Sequence, residues 1–133
     1  MTSINILKPI DVEDSVRLAL ADYFNIHATP LPANYSLPCL TATASGGTSK
    51  STIDTFMVIL SARAETNAEA LEYLTNALGV LEVQVSKQVY GLMNVSLNNL
   101  YSWGTDPVRP DLKMCSATLL VTAHRKAYAF PED

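Results

Sequence analysis

Ile53-Asp54-Thr55-Phe56-Met57-Val58-Ile59-Leu60-Ser61-Ala62-Arg63-Ala64 runs directly into Glu65-Thr66-Asn67-Ala68-Glu69, and the hydrophobic period changes at the junction. In the first stretch Phe56, Val58, Leu60 and Ala62 alternate with Thr55, Met57, Ile59, Ser61 and Arg63, the period of a strand. Thr66 with Glu69 three residues on then makes a capping box, and Leu71, Leu74, Leu78, Leu81 and Val85 share one helical stripe. The stripe passes through Gly79, which costs a helix only about 1 kcal/mol, so the helix either stops there or runs on to about Lys87. A strand feeding a helix that can fold back over it is the kernel of an α+β layer.

Working outward, Cys39 to Ala44 alternates as a second strand, with Leu40, Ala42 and Ala44 on one side. Ser45-Gly46-Gly47-Thr48 supplies a turn, which makes the pair a hairpin. Upstream, Asp11 caps a helix of about Val12 to Asn25 whose Val12, Val16, Ala19, Leu20 and Tyr23 form one stripe. Pro30, Pro32 and Pro38 exclude a regular helix from the connection Ile26 to Pro38, which reads as an extended crossing. Downstream, Val89, Gly91, Met93, Val95 and Leu97 mark a third strand, Asn98 to Asp111 a long polar loop, and Leu112 to Lys126 a last strand. On that strand Cys115, Ala117, Leu119, Val121 and Ala123 oppose Met114, Ser116, Thr118, Leu120, Thr122 and His124. Residues 1–10 read as an N-terminal arm and 127–133 as a tail, frayed from Phe130 to Asp133. The expectation is a single α+β domain over 1–133, order α-β-β-α-β-β, in which two helices pack on one face of a four-stranded antiparallel sheet.

At 133 residues and 48% hydrophobic content, the chain can bury a core without metals or disulfides. A net charge of −4 is the wrong sign for gripping phosphates. No apolar run is long enough to span a bilayer and Met1 to Ile10 has no signal-peptide pattern, so a cytosolic setting is expected, with Cys39 and Cys115 as buried thiols. A charged fraction of only 17% leaves neutral and apolar surface for a partner.

Catalytic constellations are missing from the pattern. His27 and His124 have no Cys, His or carboxylate at ligand spacing, which leaves them as solvated histidines and gives no metal site. Gly46-Gly47-Thr48-Ser49-Lys50 lacks the order of a phosphate-binding loop and leads into a strand where a helix is required. No nucleophile elbow occurs, and Glu69 and Glu72 read as a cap and a solvated neighbour. No catalytic or cofactor-binding residue is assigned. The residues singled out are interface candidates: Leu18 on the far side of the first helix, Met57, Ile59, Met114 and Leu120 on the second sheet face, and Tyr101, Trp103 and Arg109 in the long loop. Trp103 fits either a protein contact or a cover for the sheet edge.

The helix Asp11 to Asn25, the proline-punctuated lead into Leu37-Pro38-Cys39-Leu40, the Gly46-Gly47 hairpin, the strand entering Ala64-Glu65-Thr66-Asn67-Ala68-Glu69-Ala70, and the loop Asn99 to Pro110 before a long last strand form one pattern. Over about Asp11 to Lys126 it resembles the tail terminator family of tailed bacteriophages, also called tail completion or minor tail proteins. The resemblance implies a non-enzymatic virion protein without cofactors, assembled in the host cytoplasm, six copies of which form a ring that caps the tail tube and faces the head. Its implied partners are its own copies, the tail tube protein and a head-closure or neck protein. DNA would pass the lumen without being held, and no membrane is involved. The family's motifs are structural, and no site residues transfer from them. The alternatives are another head-tail connector or head-closure protein of the neck, and a small cytosolic enzyme or ligand-binding domain.

Overall fold

β4, Ile53–Ala64, lies at the centre of the structure. In the computed structural model, which describes residues 2–32, 34–50 and 52–132, it is flanked on one side by β3, Cys39–Lys50, and on the other by β6, Lys113–His124. β5, Leu92–Thr105, forms one edge beyond β6, and the two-residue β2, Ile26–His27, forms the other beyond β3. The sheet order is therefore β2-β3-β4-β6-β5. β2 pairs parallel to β3 through Ile26↔Leu40 and His27↔Thr41, and the other pairs are antiparallel. The sheet thus has five strands of mixed direction, which corrects the expected four-stranded antiparallel sheet. The added strand exists because the first helix ends early and frees Ile26 and His27 to run alongside β3.

That helix, α1, spans Val12–Leu20 and is capped by the Asp11 side chain, which accepts from the amide of Asp14. Tyr23 and Phe24 turn their amides back to the Leu20 carbonyl. The Asn25 amide instead donates to the Tyr73 hydroxyl at 2.6 Å, and Phe24 packs edge-on against the same ring. Tyr23, expected on the buried stripe, lies beyond the helix end and is exposed. α2, Asn67–Ser86, starts at the Thr66 cap and passes unbroken through Gly79. Both helices lie against the sheet face that carries Leu40, Val58, Leu60, Ala62, Leu119 and Val121, and these residues form the core with Val16, Leu20, Leu74 and Leu81. At Gly79 nothing lies within 4 Å of an added Cβ, so the chain's own packing gives no reason for a glycine there.

The Gly46-Gly47 segment is not the hairpin turn. β3 continues through it to Lys50, which pairs with Ile53, and the register shifts between Ala44 and Gly47. Gly46 takes a φ of 113° in this bulge, and a Cβ on Gly47 would run into the carbonyl oxygen of Thr55. A bulge that presses one backbone onto another accounts for a glycine pair within a strand.

The expected loop Asn98 to Asp111 is strand as far as Thr105, with register shifts between Leu92 and Asn94, Leu97 and Asn99, and Asn99 and Ser102. The chain ends differ from expectation too. β1, Thr2–Lys8, and β7, Lys126–Glu132, pair antiparallel in a separate two-stranded ribbon, from Thr2↔Glu132 to Lys8↔Lys126. The tail is therefore ordered rather than frayed. Met1 and Asp133, the outer members of the expected arm and tail, lie outside the described residues.

The two helix and strand glycines make opposite predictions. Gly79→Ala should stabilise the monomer by about 1 kcal/mol and raise its Tm by a few degrees. Gly47→Ala should destabilise it by about 1–3 kcal/mol through overpacking. Thermal denaturation of the two variants checks both.

Candidate functional site

β4 carries one charged residue near each end, and each fixes a distant part of the chain. At the end next to α2, Arg63 donates through Nε to Asp106 Oδ2 at 2.8 Å and through a terminal nitrogen to the Thr41 hydroxyl at 3.0 Å. Asp106 is buried, and it also accepts from the Tyr35 hydroxyl at 3.0 Å and from the amides of Val108 and Arg109 at 2.8 and 3.1 Å. Burial pushes the Asp106 carboxyl up, but these four donors outweigh it and hold the group below the usual carboxylate range. The same burial and the neighbouring Asp106 push the Tyr35 hydroxyl up. The result is a clamp that ties the proline-rich crossing, the β5–β6 loop and the end of β4 to one carboxylate. Arg109 caps it from outside, 5.7 Å over the Tyr35 ring.

At the other end, buried Asp54 accepts from Arg125 through both carboxylate oxygens, at 3.1 to 3.3 Å. Hydrogen bonds from Arg125 and Ser49 hold its carboxyl below the ordinary range. Arg125 is the single residue between β6 and β7, so this pair fixes the root of the ribbon against the β3–β4 hairpin.

The predicted interface residues fall into separate places. Met57 pairs with Leu120 on the sheet face away from the helices, with Met57 exposed and Ile59, Met114 and Leu120 half-buried among Ser and Thr. Ser61 and Ser116 meet on the same face through their hydroxyls at 2.8 Å. Trp103 is exposed but pairs with buried Cys115, which puts it on the helix side of the sheet, at the free edge. It does not join Met57 and Leu120. Tyr101 is exposed on the same edge strand, and Arg109 belongs to the Asp106 clamp.

Leu18, exposed on α1, lines a cleft of about 630 Å³ with Lys8, Tyr90, His124, Lys126 and Tyr128. Tyr90 holds a φ of 53°, strained for an aromatic residue, while its carbonyl accepts from the Ser15 hydroxyl at 3.1 Å. His124 is solvated at the cleft wall. His27 is not a loop residue as expected: it lies in β2, and its Nε2 is buried with no hydrogen-bond partner among the described residues, beside a small cavity of about 80 Å³. Among the described residues no group of three His, Cys, Asp or Glu is placed to hold a metal ion, and no helix is long and apolar enough to cross a membrane.

Sequence reasoning missed the ribbon. Its face carries Ile4 and Phe130 opposite one another and Ile6 opposite Tyr128; Ile4, Tyr128 and Phe130 are 48%, 45% and 53% exposed. The signal was available in two short alternations, Ile4 and Ile6 near one end of the chain and Tyr128 and Phe130 near the other. No protein-family model matches the chain, and no curated protein matches it in sequence.

Two measurements test the Asp106 clamp and the burial of the thiols. Asp106 titrates lower in the folded chain than its unfolded value near 3.9, so its stabilisation is full above that value and is lost as pH falls through the folded pKa. Asp106→Asn should destabilise the protein at pH 7 by about 3 kcal/mol and flatten the acid limb of its stability profile, as followed by urea unfolding across pH. Burial also pushes the Cys39 and Cys115 thiols up. Both should resist a thiol reagent in the native protein and react together on unfolding.

Proposed function

We propose that this chain is a structural subunit of the tailed-phage neck, a tail terminator whose copies form a ring at the end of the tail tube. The observation that carries the reading is the separation of its exposed apolar surfaces. The ribbon with Ile4, Tyr128 and Phe130 protrudes at one place, while Leu97, Tyr101 and Trp103 line the free edge of β5 at another. A ring needs two different patches on each copy, since every contact is head to tail. A catalyst would instead gather polar groups around one pocket. Here the two buried charge clusters are consumed in holding loops.

The net charge of −4, repeated around a lumen, suits a passage that DNA traverses without sticking. The resemblance of the chain to tail terminators supplies the expected number of six and the tail tube and neck proteins as neighbours. In a phage deprived of this gene, heads and tails should accumulate unjoined, with tails of irregular length, by electron microscopy of lysates. Normal infectious particles would refute the assignment.

A further inference from the structure

Gly79 lies midway along a 20-residue helix, and nothing among the described residues lies within 4 Å of where its Cβ would be. It is exposed, and it forms part of the wall of two grooves. One, about 330 Å³, runs between α2 and β5 past Leu78, Glu82 and Leu97. The other, about 490 Å³, runs past Tyr23, Val80, Val83 and Lys87. Tyr23, Val83 and Leu97 are 61%, 55% and 45% exposed. The missing side chain lowers the helix ridge between two apolar grooves.

We propose that the β1–β7 ribbon of one copy docks across α2 of a second copy, with Tyr128 and Phe130 entering the grooves on either side of Gly79. The proposal rests on the ring reading and names its contact. Two residues apart on a strand, the aromatic side chains are roughly 7 Å apart. That spacing straddles the bare backbone of a helix, about 5 Å across at its Cα cylinder. A side chain at position 79 would stand between them.

Charge selects the same pair of surfaces. Lys8 and Lys126 face one another at the ribbon root, a like-charged pair that destabilises an isolated ribbon. Lys8 leans over the Tyr128 ring at 4.7 Å, and neither lysine has an ion-pair partner among the described residues. α2 carries Glu69, Glu72 and Glu82 with no basic residue along its length, and Glu65 precedes it; all four are exposed. Lys87 follows just past its end.

The area limits the strength of one such contact. With about half of each aromatic already covered, Tyr128 and Phe130 have about 100 Å² each left to bury. With Ile4 the ribbon offers roughly 300 Å², short of the ~800 Å² per partner of a stable interface. A single docking is therefore weak, and a closed ring, in which each copy gives one ribbon and receives another, doubles the area that each copy buries and holds every contact in place through its neighbours.

The test uses the full chain with one cysteine added, Ile6→Cys on the ribbon face or Val83→Cys in the groove, the native thiols being buried. Mixed and oxidised, the two should cross-link at least tenfold faster than either alone, and the doubly substituted chain should form a covalent ladder. Gly79→Gln in that chain should abolish the ladder without lowering its Tm. Lys8→Glu with Lys126→Glu should weaken it at least tenfold. Equal cross-linking rates in the mixture and in the separate variants, or an unchanged ladder with Gly79→Gln, would overturn the docking. If rings are seen by electron microscopy without the 6–83 link, the docking fails and the ring reading stands. If deletion of the gene leaves normal particles while the link forms, the terminator reading fails and the docking stands.

Discussion

The two charges of β4 organise what is otherwise an apolar strand. Val58, Leu60, Ala62 and Ala64 are fully buried, and a strand with one face covered so completely needs no charge for its own stability. Asp54 and Arg63 instead reach outward from its ends, each to a partner in a segment that regular pairing does not fix. A buried ion pair is seldom a net source of stability, because desolvation offsets much of the attraction. What such a pair does supply is a fixed geometry, since leaving either partner uncompensated is costly. The hydrophobic face determines that the sheet and helices form. The two ion pairs determine where the loops and the ribbon root stand on that body.

This division explains which parts of the structure the sequence revealed. Strand β4, helix α2 and the capped start of α1 were legible because their apolar residues keep one period over many positions. The far half of β5 was not, because each of the strand's three register shifts resets the alternation, and the Asn residues among them, with Gly104 beyond, look like a loop. The Gly46-Gly47 pair misled for a related reason: the composition of a turn and that of a bulge are alike, and only the carbonyl of Thr55 facing Gly47 distinguishes them. β2 is two residues long and has no periodicity to read.

The exposure of several interface candidates was legible residue by residue, but their grouping into surfaces was not. Leu18, Met57, Tyr101 and Trp103 are exposed as their positions suggested. Their grouping was not recoverable, because Trp103 and Leu120 reach opposite faces only through a register that the bulges of β5 set. Arg109, selected as a contact residue, has its amide and side chain engaged around Asp106 and Tyr35. The Asp106 clamp joins residues far apart in the chain, and no local pattern announces it. At Gly79 the apolar stripe leaves open whether the helix stops or runs on to about Lys87, and it runs on to Ser86 with empty space beside the glycine.

The ribbon also has a place in time. Its outermost pairing brings Thr2 and Glu132 together across a sequence separation of 130 residues, the costliest kind of loop to close in an unfolded chain. A two-stranded ribbon has too little apolar burial to form alone. Its closure costs least once β6 has joined the sheet and Arg125 has met Asp54, when the body has already brought the two ends together. A newly synthesised chain on this order completes its core before its ribbon, and Tyr128 and Phe130 come to stand beside Ile4 and Ile6 only once the body has brought the two ends together.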